Sequence, residues 1–165
     1  MERKSFGDMQ CPIARSLEHV GEWWSILIMR DAFYGLTRFD EFQKSLGIAP
    51  NMLTRRLKGL VESGLMERRE YSSRPVRHEY VLTDAGQEFR PVVLALLVWG
   101  NKHFAPEGAS VLIKNKKTGK VAVPILTDKL SGEEIATSGA FHLVAGPAAD
   151  SELRKRLSAQ YDTTL

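Results

Sequence analysis

A single cysteine in 165 residues leaves Cys11 without an internal disulfide partner, which points to a reducing cytoplasm. Long hydrophobic runs are missing too. Nothing approaches the roughly 20 apolar residues needed to span a bilayer. The longest run, residues 92–99, lies between Pro91 and Gly100 and is expected as a buried helix, in the core or at a dimer interface. The opening stretch MERKSFGDMQ is polar, so no signal peptide is expected. The four histidines, His19, His78, His103 and His142, show no HExxH pattern and no pairing with Cys11. There is no Ser/His/Asp constellation, phosphate-cradling glycine loop or paired-carboxylate motif. Enzymatic activity, a metal and a cofactor are therefore not expected.

What is present fits one ordinary domain, or a small domain with an appendage: 43% of residues are apolar and 26% charged. The net charge is only +3, but it is unevenly spread. Residues 1–50 hold 6 Lys/Arg and 7 Asp/Glu, residues 51–78 hold 7 and 3, and residues 79–165 hold 10 of each. The basic excess lies in one short segment, the footprint of a nucleic-acid surface.

Cys11-Pro12 opens a first helix with the cysteine at the N-cap; Ile13, Leu17 and Val20 form its apolar stripe and Gly21 ends it. A second, strongly apolar helix carries Trp23, Ile26, Leu27 and Arg30 at helical spacing and stops at Gly35. Thr37 or Arg38 starts a third, with Phe39, Phe42 and Leu46 inward. After the turn Gly47-Ile48-Ala49-Pro50, a fourth helix runs over about 51–63. Its core face is Leu53, Leu57 and Leu60; Asn51, Arg55, Lys58 and Glu62 oppose it, with Thr54 and Arg56 on the flanks. Arg56 suits an intramolecular partner such as Glu41 as well as a phosphate. MERREY and VRHEYVLT then alternate around a turn-prone SSRP, predicting a hairpin that carries Arg68, Arg69, Arg74, Arg77 and His78. Thr83 or Asp84 caps a long helix with a kink or restart at Pro91.

Residues 105–108 mark a boundary, giving a domain over 1–104 and an extension over 105–165. The extension is expected to hold short strands joined by two similar turns, at 116–119 and 129–132, and a last helix near 148–159. Such turns invite comparison with the knuckles of a zinc ribbon. Neither carries a thiolate or imidazole, so the module is read as degenerate and without metal.

Helix, tight turn, helix and basic hairpin is the order of a winged helix-turn-helix, an α+β fold. In that arrangement Asn51, Thr54, Arg55, Arg56 and Lys58 face double-stranded DNA from the reading helix, and Arg55 and Asn51 suit guanine and adenine edges. Arg38 precedes the third helix as a phosphate contact, and Arg68, Arg69, Arg74 and Arg77 serve the wing. The alternative class is a winged-helix protein–protein module whose basic hairpin meets an acidic partner.

The stretches CPIARSLEHVGEWWSILIMRDAFYGLTRFDEFQ, GIAPNMLTRRLKGLVESGLMERREY and VRHEYVLTDAGQEFRPVV resemble the HxlR-type winged-helix transcriptional regulators of bacteria over about residues 10–104. The resemblance implies a homodimer built by the first helix and the long helix after the wing, set on a two-fold operator. It also marks Cys11, because some members use a cysteine at this place to sense oxidants or electrophiles. A thiol at a helix N-cap lies where N–H groups and the helix dipole favour thiolate. A small-molecule effector is left open, with Trp23, Trp24 and Trp99 as candidate lining. Two features depart from the family: Gly21-Glu22 stands where many members carry glycine-lysine, and the shortest members lack 105–165.

Overall fold

Pro12 lacks the N–H that a first-turn residue leaves unpaired in any case, and α1 (Pro12–Val20) starts there with Cys11 as its N-cap. The computed structural model describes residues 5–9, 11–137 and 139–159. The glycine that ends α1 is needed for close approach rather than for a left-handed turn. Gly21 has an ordinary helical φ of −66°, and a Cβ on it would overlap the Leu17 carbonyl oxygen.

In helix α2 (Trp23–Phe33) the residues noted at helical spacing are not the ones that become buried. The residues it buries are Ser25, Ile28, Met29 and Asp31, while Trp23 is 75% exposed and Ile26, Leu27 and Arg30 are half-buried. Apolar residues surround this helix, so spacing alone does not select the inward face. Ile28 and Met29 join Phe42, Ile48, Leu53, Leu57, Leu60 and Met66 in the core. Each such side chain contributes about 1.5–3 kcal/mol by leaving water.

Helix α3 (Phe39–Leu46) follows Arg38, whose side chain has no acceptor with which to cap it. Glu41, one turn in, supplies the acceptor: its carboxylate takes the N–H of Arg38 at 2.9 Å and of Thr37 at 3.0 Å. Those two bonds, that of Arg38 first, hold the Glu41 carboxyl below its ordinary pKa. Gly47 then takes φ +61°, the left-handed conformation expected of the turn, and α4 (Pro50–Glu62) begins at Pro50. Leu53, Leu57 and Leu60 are buried as the spacing requires.

Strands β1 (Met66–Ser73) and β2 (Val76–Leu82) form an antiparallel hairpin in which Arg68 lies opposite Tyr80, Arg69 opposite Glu79 and Glu70 opposite His78. Tyr71 has no cross-strand partner and sits at a bulge. The chain before α3 runs along β2: Tyr80 N–H donates to the Thr37 carbonyl at 2.7 Å, and Arg38 bridges Glu79. The wing is thereby tied to the start of the helix-turn-helix.

Thr83 caps α5 (Asp84–Glu88) by accepting the Gly86 N–H at 3.1 Å, and α6 (Arg90–His103) restarts the helix with Pro91 in its first turn. The run 92–99 is not buried within the chain. No residue of α6 is, and Val92, Leu96 and Trp99 are exposed.

The chain divides into two compact units, Met1–Ser110 and Val111–Leu165. In the second, the short strands expected reduce, among the described residues, to two isolated bridges, Lys114↔Val121 and Thr127↔Glu134. Each bridge is flanked by one further backbone bond, from Ala122 N–H to the Ile113 carbonyl at 2.8 Å and from Ile135 N–H to the Leu126 carbonyl at 2.9 Å, and Pro124 between the two hairpins has no N–H with which to extend them. The two turns share one design. Asn115 Oδ1 accepts the N–H groups of Lys117 at 2.9 Å and Thr118 at 3.1 Å, and Asp128 Oδ2 accepts that of Ser131 at 2.8 Å. Gly119 (φ +69°) donates to the Asn115 carbonyl at 2.8 Å, and Gly132 (φ +76°) to that of Asp128 at 2.9 Å. The Ser131 N–H, and then its hydroxyl, lower the Asp128 pKa. Helix α7 (Ser151–Ala159) follows.

Candidate nucleic-acid interface

The outward face of α4 carries Asn51, Thr54, Arg55 and Lys58, all exposed. Thr54 Oγ1 donates back to the Pro50 carbonyl at 2.9 Å, and Asn51 Oδ1 accepts the Met52 N–H at 2.8 Å. Lys58 meets Glu62 at 3.6 Å one turn on, with both side chains mostly exposed, a pairing too weak to commit the charge. The Arg55 side chain makes no ion pair or hydrogen bond among the described residues.

Arg56 is placed differently from its neighbours and is a correction to the expected reading face. It is buried, and its Nη2 meets Glu22 Oε2 at 2.8 Å. The flank of α4 on which it lies turns toward the start of α2, and Glu22 rather than Glu41 is its partner, because both Glu41 bonds point at the α3 backbone. Sequence reasoning missed Glu22, 34 residues away, though the same residue marks the departure from the family's glycine-lysine pair.

On the wing, Arg74 and Arg77 are exposed. Arg68 Nη2 lies 3.0 Å from His78 Nδ1, while Arg69 pairs with Glu67 and faces Glu79 across the ladder. Acidic neighbours thus offset Arg69, leaving Arg68, Arg74 and Arg77 as the wing's available cations. Arg38 is also exposed, and its guanidinium carbon lies 4.9 Å from the centre of the Tyr71 ring. Tyr71 is a second residue that alternation did not single out; the bulge turns it toward Arg38.

Trp23 and Trp24 meet edge to face at 6.5 Å, and Trp99 packs on Phe104 at 4.8 Å; no ring contact joins the two groups among the described residues. Cys11 is half-buried at the α1 N-cap and makes no side-chain capping bond. The described residues contain no group of three His, Cys, Asp or Glu placed to hold a metal.

A helix-turn-helix whose second helix turns a basic face outward, with a basic hairpin tethered beside it, is a regulator's architecture, and comparison with known proteins agrees. Residues 19–108 match the HxlR-like helix-turn-helix family. The chain belongs to that family. This HxlR-like protein is 43% identical over 124 residues, 74% of its length and 78% of the other's, to an uncharacterized HTH-type transcriptional regulator of Mycobacterium tuberculosis. A solved candidate transcription factor of Pseudomonas aeruginosa is 54% identical, covers 89% of this chain and 100% of its own, and superposes with a TM-score of 0.63. The redox regulator HypR in its reduced form is 31% identical, with a TM-score of 0.53, over 56% of this chain and 92% of its own. The HxlR-like protein is a transcriptional regulator of the winged helix-turn-helix type. No helix among its described residues is long and apolar enough to cross a membrane.

Proposed function

We propose that this regulator acts in the bacterial cytoplasm as a homodimer on a two-fold DNA operator. It reads bases with Asn51, Thr54 and Arg55 and holds phosphates with Arg38, Lys58, Arg68, Arg74 and Arg77. The observation that carries the reading is the division of α4 into a leucine face locked in the core and an opposite face whose Arg55 has no partner among the described residues. Arg69 and Arg56 have smaller shares in it, because carboxylates already engage both.

Selection from a pool of random duplexes tests it. A DNA reader returns a two-fold motif whose half-sites are about one helical turn, or a multiple of it, apart. Recovery without any shared motif rejects operator reading and leaves the interaction-module alternative.

We assign a response to oxidants or electrophiles to Cys11, with a small-molecule effector as the alternative. The supporting observations are its place at the first turn of α1, its partial exposure and the likeness to a redox regulator. Conjugate addition of its thiolate to an electron-poor carbon–carbon double bond forms a carbon–sulfur bond as the π bond breaks and water protonates the neighbouring carbon, at the end of a helix that carries part of the dimer face. The native protein should react with a thiol reagent at neutral pH; reaction only after denaturation ends this assignment.

A further inference from the structure

The two turns of the C-terminal unit repeat one backbone design thirteen residues apart and carry opposite charge. Asn115 aligns with Asp128, Thr118 with Ser131, Gly119 with Gly132, and the bridge Lys114↔Val121 with Thr127↔Glu134. Residues 111–122 contain Lys114, Lys116, Lys117 and Lys120 and no acid, whereas residues 123–135 contain Asp128, Glu133 and Glu134 against Lys129. None of these lysines forms an ion pair with a carboxylate among the described residues. The opposite charges are therefore not spent on each other within one chain.

Apolar residues are equally uncommitted. Val123 is 72% exposed, Leu130 at the second turn's tip is 96% exposed, and no described residue from 111 to 158 is buried. A segment this long without a buried residue lacks the apolar burial that offsets the cost of ordering a chain. Its hydrogen-bonded turns need a surface to complete them.

We propose that this surface is the same segment of a second copy, with the lysine-rich turn of each chain facing the acidic turn of its partner. Two-fold symmetry repeats one like-for-unlike contact twice, so the lysine turn (four Lys, no acid) and the acidic turn (three acids, one Lys) of each copy both meet opposite charge. The pairing rests on the homodimer reading above and adds a contact remote in sequence from α1 and α6. It is independent of DNA.

Charge reversal in the full-length protein tests it. The Lys116, Lys117, Glu133 and Glu134 side chains take no part in the turns' hydrogen bonds, so their exchange spares the backbone design. Lys116→Glu with Lys117→Glu, and separately Glu133→Lys with Glu134→Lys, should each weaken self-association by about tenfold or more at low salt, because like charges then meet twice. An equimolar mixture of the two variants should restore wild-type affinity as a heterodimer, in which both contacts are again unlike. Amide protection across 113–135 should rise with protein concentration along the dimerisation curve.

Variants that dimerise as the wild type does, or a mixture that fails to rescue, overturn the pairing while leaving the homodimer reading intact. A wild type that stays monomeric overturns both. If the lysine variant loses DNA affinity but not self-association, the lysine turn meets DNA and the pairing is rejected.

Discussion

Arg55 and Arg56 are adjacent in the chain, yet about 100° of helical rotation sends one to solvent and the other to Glu22. Their substitutions should separate cleanly. Arg55→Ala should cost about 1–3 kcal/mol at the cognate site and relax specificity there, with an unchanged melting curve. Titration of cognate and single-base-changed duplexes checks this; unchanged cognate affinity would move the reading face elsewhere. Removing Glu22 acts on folding. Glu22→Ala removes the carboxylate that meets a mostly buried guanidinium. For a fully buried pair that costs about 3–5 kcal/mol. Glu22 keeps partial access to water, so about 1–3 kcal/mol is expected here. Urea denaturation reads the loss, and the DNA affinity of the folded protein should stay near wild type.

At the scale of the element, the start of α3 depends on one carboxylate doing the work of an N-cap side chain. Because the native pKa of Glu41 is lowered, its contribution is fully present above the unfolded carboxylate value and is lost as pH falls through the lowered native value. The stability difference between wild type and Glu41→Ala should thus be constant from about pH 7 to about pH 5 and shrink on further acidification. Urea midpoints across that range test the sign, and a difference that grows toward acid pH would refute the capping role. Sequence reasoning did not single out this cap: it set Glu41 beside Arg56 as a candidate partner, although a glutamate three residues into a helix is a local signal. The leucine face of α4 is legible because a single stripe stands among polar neighbours. Helix α2 is not, because its apolar residues offer more than one inward face and only tertiary packing chooses Ile28 and Met29. The Arg56–Glu22 pair and the Arg38–Tyr71 stack escape sequence reading as well. They depend on the approach of separate elements and, for Tyr71, on a bulge that breaks strict alternation. In the extension, the turns are legible from their glycines, but the expected strands are not built.

At the scale of the whole molecule, five of the exposed apolar residues outside the C-terminal unit fall into two helical stripes. Val92, Leu96 and Trp99 recur at i, i+4 and i+7 on α6, and Ile13 and Leu17 at i and i+4 on α1, with Ile13 70% exposed. Stripes of this kind on helices with few or no buried residues are what a second copy would cover. The DNA reading needs that copy, since one reading helix meets only one half-site. Leu96→Asp places a charge in the middle of the α6 stripe without touching the core around Leu53 and Phe42. The variant should therefore fold with a near-native melting profile and run as a monomer in light scattering after size exclusion. It should bind an isolated half-site as the wild type does. For the two-fold operator its affinity should fall by roughly 10²-fold or more, because the second reading helix is no longer delivered at high effective concentration. If Leu96→Asp retains the mass of a dimer and full operator affinity, the dimer face lies outside α6, and the distance between reading helices must be set by another surface.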